Sequence, residues 1–126
     1  QAVSFFQSVL DHQLPPEMEV QPGLTVSYFY DWDHYPMMDS LSKANLPVLV
    51  LQGEEDFQAT MDGDFLPLME AFGNSARFTF QSFPGLNHLF MKSEIGVFHT
   101  TEEYQIEGFV AFETVEALVS WIQQTR

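Results

Sequence analysis

The first 45 residues contain one clear helical pattern and one stretch without any period. Apolar positions in residues 2 to 13 stand three or four places apart, which predicts a short amphipathic helix. They are Val3, Phe6, Val9 and Leu10. Residues 17 to 36 lose any period and concentrate aromatic side chains, so we predict a loop or lid-like segment there. A short helix is expected over residues 37 to 44.

From residue 46 onward, the pattern predicts two strands that alternate with two helices. Residues 46 to 52 are a nearly continuous apolar run, typical of a strand buried on both faces of a parallel sheet, and residues 77 to 83 alternate as a second strand does. A helix beginning near Asp64 is predicted between them by apolar residues at i, i+3, i+4 and i+7, which are Phe65, Leu68, Met69 and Phe72. The same spacing predicts a closing helix at Phe112, Val115, Leu118, Val119 and Ile122.

This order of elements predicts an α/β fold with parallel strands, because strand, helix, strand crossovers are nearly always of that kind. Asp56 follows the first strand and His88 follows the second. Both side chains should therefore project from the carboxyl-terminal edge of the sheet, where open α/β sheets place their ligands. We expect Asp56 and His88 to lie within or near hydrogen-bond reach, although they are 32 positions apart.

Composition and charge exclude several classes of function. The 126 residues suffice for one packed core, and 4 Lys plus Arg against 18 Asp plus Glu give a net charge of −14. No basic stripe could neutralise nucleic acid or an anionic membrane, so we expect neither as a partner. With no cysteine, the chain has no disulfide and no thiolate site, which suits a reducing compartment, and we expect a cytoplasmic protein.

The two segments that carry Asp56 and His88 resemble parts of the α/β-hydrolase family. Residues 47 to 56, Pro-Val-Leu-Val-Leu-Gln-Gly-Glu-Glu-Asp, resemble the penultimate core strand with its Gly-x-x-Asp turn. Residues 83 to 88, Phe-Pro-Gly-Leu-Asn-His, resemble the final strand and its histidine loop. The resemblance extends to the closing helix and covers residues 46 to 123, and the acid precedes the histidine as in that fold.

The resemblance implies the C-terminal part of a serine hydrolase that cleaves a carboxylic ester, thioester or amide through an acyl-enzyme. His88 would act as the general base, and Asp56 would orient the imidazole and stabilise its charged form. The substrate would be a small acyl compound, and no cofactor is implied. For His88, the competing interpretation is a turn histidine bonded to a backbone carbonyl. Glu54 and Glu55 compete with Asp56 for the role of the acid; the resemblance selects Asp56, at the third place after Gly53, and the other two are then solvated turn acids.

The chain departs from the family in its nucleophile. A serine on a Gly-x-Ser-x-Gly elbow should precede both residues, and the nearest match, Gly-Asn-Ser-Ala-Arg at residues 73 to 77, has Arg in place of the second Gly. We interpret Ser75 as a turn residue and expect the elbow and the first strands to lie in a missing N-terminal half. Residues 1 to 45 would then be a cap-like tail with a lead-in helix, residues 46 to 126 the βαβα part, and this chain alone inactive.

Two other kinds of function compete with the hydrolase. A metal site is not expected, because no two of the four histidines have ligand spacing and Asp62 and Asp64 do not fit a calcium loop. The histidines are His12, His34, His88 and His99. The alternative is a non-catalytic acidic module that binds a protein through the aromatic residues between Tyr28 and Tyr35. We also expect a homo-oligomer, because half of a hydrolase sheet would expose the strand edge around residues 48 to 51.

Overall fold

The computed structural model describes residues 7–32, 34–93 and 100–125, and the chain divides into two compact units, Gln1–Ala44 and Asn45–Arg126. In the first unit, residues 7 to 10 are helical, so within the described residues the helix predicted over residues 2 to 13 ends three residues early, before a turn in which His12 has a φ of +53°. A short antiparallel hairpin follows, formed by β1 (Glu19–Gln21) and β2 (Leu24–Thr25). Helices α1 (Val26–Trp32) and α2 (Met37–Lys43) complete this unit, and α2 confirms the helix predicted over residues 37 to 44.

The prediction of a loop over residues 17 to 36 is wrong. Gly23 has a φ of +79°, a conformation that glycine adopts without strain, and so allows the tight turn of the hairpin. In α1, Val26 is fully buried, and four residues later the Tyr30 hydroxyl donates to the backbone oxygen of Leu14 at 2.7 Å. The inward positions of α1 therefore do have helical spacing, and the aromatic residues on its other faces hide that period in the sequence.

The second unit is built on two parallel strands, β3 (Val48–Gly53) and β4 (Phe78–Phe83), which pair in register from Val48 opposite Phe78 to Gly53 opposite Phe83. Both strands and their parallel pairing were predicted. Residues 48 to 51 are half-buried, so the expectation of a strand buried on both faces is not met. Among the residues that the structure describes, β3 pairs only with β4, which leaves its other edge without a strand partner.

A helical segment connects β3 to β4 and packs on one face of the sheet. A π-helical turn, Met61–Phe65, leads into α3 (Leu66–Phe72), so the regular helix begins two residues later than expected. The reason is local: Pro67 fits only the first turn of an α-helix. Aromatic rings form the contact with the sheet, since Phe72 stacks on Phe78 with ring centroids 4.5 Å apart and Phe65 meets Phe80 edge-on at 5.7 Å.

The closing helix, α4 (Phe112–Gln124), contacts β3 and confirms the helix expected at the end of the chain. Before it, Thr101–Gln105 form a short 3-10 helix. His99 lies outside the described residues. The chain is thus a mixed α/β protein with a small parallel sheet, and none of the helices described is long and apolar enough to cross a membrane.

Candidate active site

The two parallel strands end side by side, and this brings Asp56 and His88 together. Gly53 and Phe83 are paired at the ends of β3 and β4, so Asp56 stands three residues beyond one strand and His88 five residues beyond the other. Nδ1 of His88 lies 2.8 Å from Oδ2 of Asp56. The contact expected from the order of the elements is therefore present at the carboxyl-terminal edge of the sheet.

Gly53 allows the histidine loop to approach β3 this closely. A Cβ atom at position 53 would lie 2.4 Å from the backbone oxygen of Leu86 and 2.5 Å from that of Asn87. The two segments also share backbone hydrogen bonds, from the amide of Glu54 to Phe83 at 3.0 Å and from the amide of Glu55 to Leu86 at 2.9 Å. The turn that carries Asp56 (the acidic turn) is therefore joined by backbone hydrogen bonds to the loop that carries His88 (the histidine loop).

The carboxylate of Asp56 is buried and hydrogen-bonded on both oxygens. Its side chain is 6 % exposed, and Oδ1 accepts from the amides of Gln58 at 2.8 Å and Ala59 at 3.0 Å, while Oδ2 faces His88. Burial raises the pKa of Asp56, but the Ala59 amide, the His88 side chain and the Gln58 amide outweigh burial, and the pKa lies below its ordinary value. Asp56 therefore stands beside His88 as a carboxylate at neutral pH.

The loop that carries His88 is fixed by its own backbone and by a buried asparagine. Asn87 is 2 % exposed, and its Oδ1 accepts from the amides of Leu89 at 2.9 Å and Met91 at 3.1 Å. Phe90 has a φ of +55°, which costs about 1 kcal/mol or more in a residue other than glycine. The loop keeps this strained conformation because the Asn87 side chain binds the amides on both sides of Phe90.

His88 presents its second ring nitrogen away from Asp56. Its side chain is 41 % exposed, and no residue in the described part of the chain forms a hydrogen bond with Nε2. With Nδ1 donating to the carboxylate, Nε2 carries the lone pair of the neutral imidazole and can accept a proton. The pair can therefore act as a general base whose positive charge, once formed, is stabilised by Asp56.

Two side chains near the carboxylate were not found from the sequence. Gln52 is 6 % exposed at the end of β3, and its amide donates into the turn that carries Asp56. Tyr104 stacks on Phe57 with ring centroids 5.8 Å apart, and its hydroxyl accepts a hydrogen bond from Gln58. A polar residue at the end of an apolar strand is a sequence signal for Gln52, whereas nothing in the sequence relates Tyr104 to a turn 46 residues earlier.

The other candidate side chains, Ser75, His12 and His34, have local partners. The Ser75 hydroxyl accepts from the amide of Arg77 at 3.4 Å, in the turn between α3 and β4, at the end of the sheet opposite Asp56. In the first unit, His12 stacks on Tyr30 with ring centroids 4.1 Å apart, and His34 lies near the backbone oxygen of the same tyrosine.

Glu54 of the acidic turn accepts a hydrogen bond from Ser82 at 2.7 Å on the surface, so it is not a second acid beside His88. Within residues 7–32, 34–93 and 100–125, no three His, Asp or Glu side chains converge as metal ligands.

The chain was compared with protein-family models, curated proteins and solved structures, and none of the three comparisons gives a match. Its chemistry is therefore inferred from the side chains at the edge of the sheet and from their geometry.

Proposed function

We propose that Asp56 and His88 are the acid and the base of a serine hydrolase of the α/β-hydrolase type, to which this chain contributes the C-terminal part. One observation carries the proposal: a buried, ionised Asp56 holds Nδ1 of His88 at 2.8 Å while Nε2 remains available. This is the division of roles in a Ser-His-Asp triad, in which the carboxylate orients the imidazole and Nε2 exchanges protons with the nucleophile.

The proposed reaction transfers an acyl group in two steps. His88 Nε2 takes the proton from a serine hydroxyl while the serine oxygen bonds to the carbonyl carbon of an ester, thioester or amide. The proton then passes from His88 to the leaving group as the carbonyl-to-leaving-group bond breaks. In the second step, His88 takes a proton from water as the water oxygen bonds to the carbonyl carbon of the acyl-enzyme. The bond between that carbon and the serine oxygen then breaks, the carboxylic acid leaves, and the proton passes from His88 to the serine oxygen. Asp56 stays ionised and stabilises each imidazolium.

The nucleophile is the part of this reaction that Asp56 and His88 do not supply. Ser75 hydrogen-bonds within its own turn and has no Gly-x-Ser-x-Gly motif, so it is not the serine of the proposal. The proposal therefore requires a serine and oxyanion donors from polypeptide beyond these 126 residues, and this chain alone is inactive.

Fluorophosphonate labelling tests the proposal, because this reagent bonds covalently to a serine that is activated by a base. The full-length gene product and the 126-residue chain are treated in parallel, with His88→Ala and, as a matched control, the exposed His34→Ala. We expect one labelled serine in the full-length product, lost in His88→Ala and kept in His34→Ala, and no label in the chain alone. A full-length product without an activated serine, or a labelled serine in the chain alone, would refute the proposal.

A second candidate function rests on exposed aromatic side chains in α1. Trp32 is 59 % exposed and Tyr28 is 49 % exposed, and their rings meet edge-on at 5.4 Å. Aromatic clusters of this kind are enriched in the centres of protein interfaces. On this candidate, the chain is a non-catalytic acidic module, and the same labelling experiment separates the two because the module has no activated serine.

A further inference from the structure

The turn that carries Asp56 is held at both ends by one buried side chain, that of Gln52. Its amide nitrogen donates to the backbone oxygen of Ala59 at 2.7 Å and to that of Gly53 at 2.8 Å, and these two residues bracket the turn. The same nitrogen lies 3.4 Å from Oδ2 of Asp56, which is long for a hydrogen bond. Gln52 therefore acts on the carboxylate chiefly through the backbone.

Of the two ends of the turn that Gln52 holds, the end at Ala59 also stabilises the ionised carboxylate. Ala59 accepts from Gln52 through its carbonyl and donates through its amide to Oδ1 of Asp56 at 3.0 Å. This amide contributes most among the groups that lower the pKa of Asp56, against the opposing effect of burial. Releasing Ala59 would therefore free its amide from the carboxylate and loosen the orientation that turns Oδ2 toward His88.

We propose that Gln52 is a positioning residue: by joining Gly53 to Ala59, it directs the backbone amides of the turn at Oδ1 of Asp56 and leaves Oδ2 to His88. The importance of this arrangement for catalysis rests on the proposed function. The positioning itself is a property of the folded chain, and it can be measured without substrate or nucleophile.

The test compares Gln52→Met with Gln58→Met, two equal changes on the two sides of the carboxylate. The Gln58 side chain bonds to Tyr104 at the surface, and its backbone amide still donates to Asp56 after the change. The pKa of Asp56 is followed by carbon NMR of its carboxyl group, and the His88 ring by nitrogen NMR. We expect Gln52→Met to raise the pKa of Asp56 toward its ordinary range and Gln58→Met to leave it unchanged. An unchanged pKa in folded Gln52→Met would overturn the proposal.

A second measurement on the unaltered chain decides the matter even if Gln52→Met does not fold. The side-chain amide protons of Gln52 should exchange with solvent much more slowly than those of Gln58, because the Gln52 side chain is buried and its amide nitrogen donates to two backbone oxygens. Equal exchange rates would contradict the proposal. The two proposals also fail differently. If Gln52→Met shifts the pKa of Asp56 but no serine of the full-length product is labelled, the hydrolase proposal is wrong and the positioning role stands. If a serine is labelled but the pKa of Asp56 does not shift, only the positioning role is wrong.

Discussion

Replacing Gly53 with Ala should separate the histidine loop from the acidic turn. The new Cβ would lie 2.4 Å from the backbone oxygen of Leu86, about 1 Å inside the 3.4 Å at which ordinary contact begins. The opposing atoms are backbone and cannot rotate away, so the loop must shift by a similar distance. Overpacking of this kind costs about 1 to 3 kcal/mol, and losing the charge-assisted bond between Asp56 and the half-exposed His88 adds about 1 kcal/mol.

Urea unfolding measures this effect, with Gly63→Ala as the control. A Cβ at position 63 would lie 2.7 Å from the hydroxyl of Thr60, which can rotate away but then gives up the hydrogen bond that it accepts from the Gly63 amide. We therefore expect a loss of about 1 kcal/mol there, that of a helix cap, against about 2 to 4 kcal/mol for Gly53→Ala. Nitrogen NMR of His88 should also show that Nδ1 has lost its carboxylate partner in folded Gly53→Ala. If Gly53→Ala is as stable as the parent and its His88 spectrum is unchanged, the close approach described above is wrong.

Three further predictions concern pH, a buried carboxylate and assembly. Because the folded state lowers the pKa of Asp56, its contribution to stability is complete above the unfolded pKa, near 4, and is lost as pH falls through the folded value. The free energy of unfolding should therefore depend less on acid pH in Asp56→Asn than in the parent or in Glu55→Gln, and equal slopes would contradict this. Ser93→Ala removes the one donor that the described residues supply to the buried carboxyl group of Glu103, whose other oxygen has no partner among them, and thermal unfolding should show a loss of about 1 to 3 kcal/mol. We also propose that the chain forms a homodimer or higher oligomer through the unpaired edge around residues 48 to 51, and sedimentation in 0.15 M salt that shows only a 14.5 kDa monomer at micromolar concentration would exclude it.

The elements of the second unit could be predicted because each depends on a local pattern. Side chains alternate along β4, and apolar residues recur at helical spacing in α3 and α4, so the period of the sequence reports the element directly. The meeting of Asp56 and His88 could also be predicted, since a right-handed crossover makes the two strands parallel and puts both carboxyl ends at one edge. The sequence was less informative about boundaries: the start of α3 depends on how the turn before Pro67 is wound.

The sequence could not predict helix α1, because aromatic residues surround it and only the tertiary structure decides which of them face inward. Val26 and Tyr30 face inward: Val26 is fully buried, and the Tyr30 hydroxyl donates to the backbone oxygen of Leu14.

At the candidate site, too, the sequence determines one part of the arrangement and the tertiary structure the other. The sequence by itself determined, through the order of the strands, that an acid of the turn after β3 meets His88, and the resemblance of that turn to a Gly-x-x-Asp motif selected Asp56 among its three acids. Only the tertiary structure decided how the carboxylate is held, because Gln52 acts through backbone oxygens and Tyr104 reaches the turn from 46 residues away. Local periodicity fixes the elements and their order, whereas the orientation of a buried carboxylate depends on hydrogen bonds that form only once distant segments have come together.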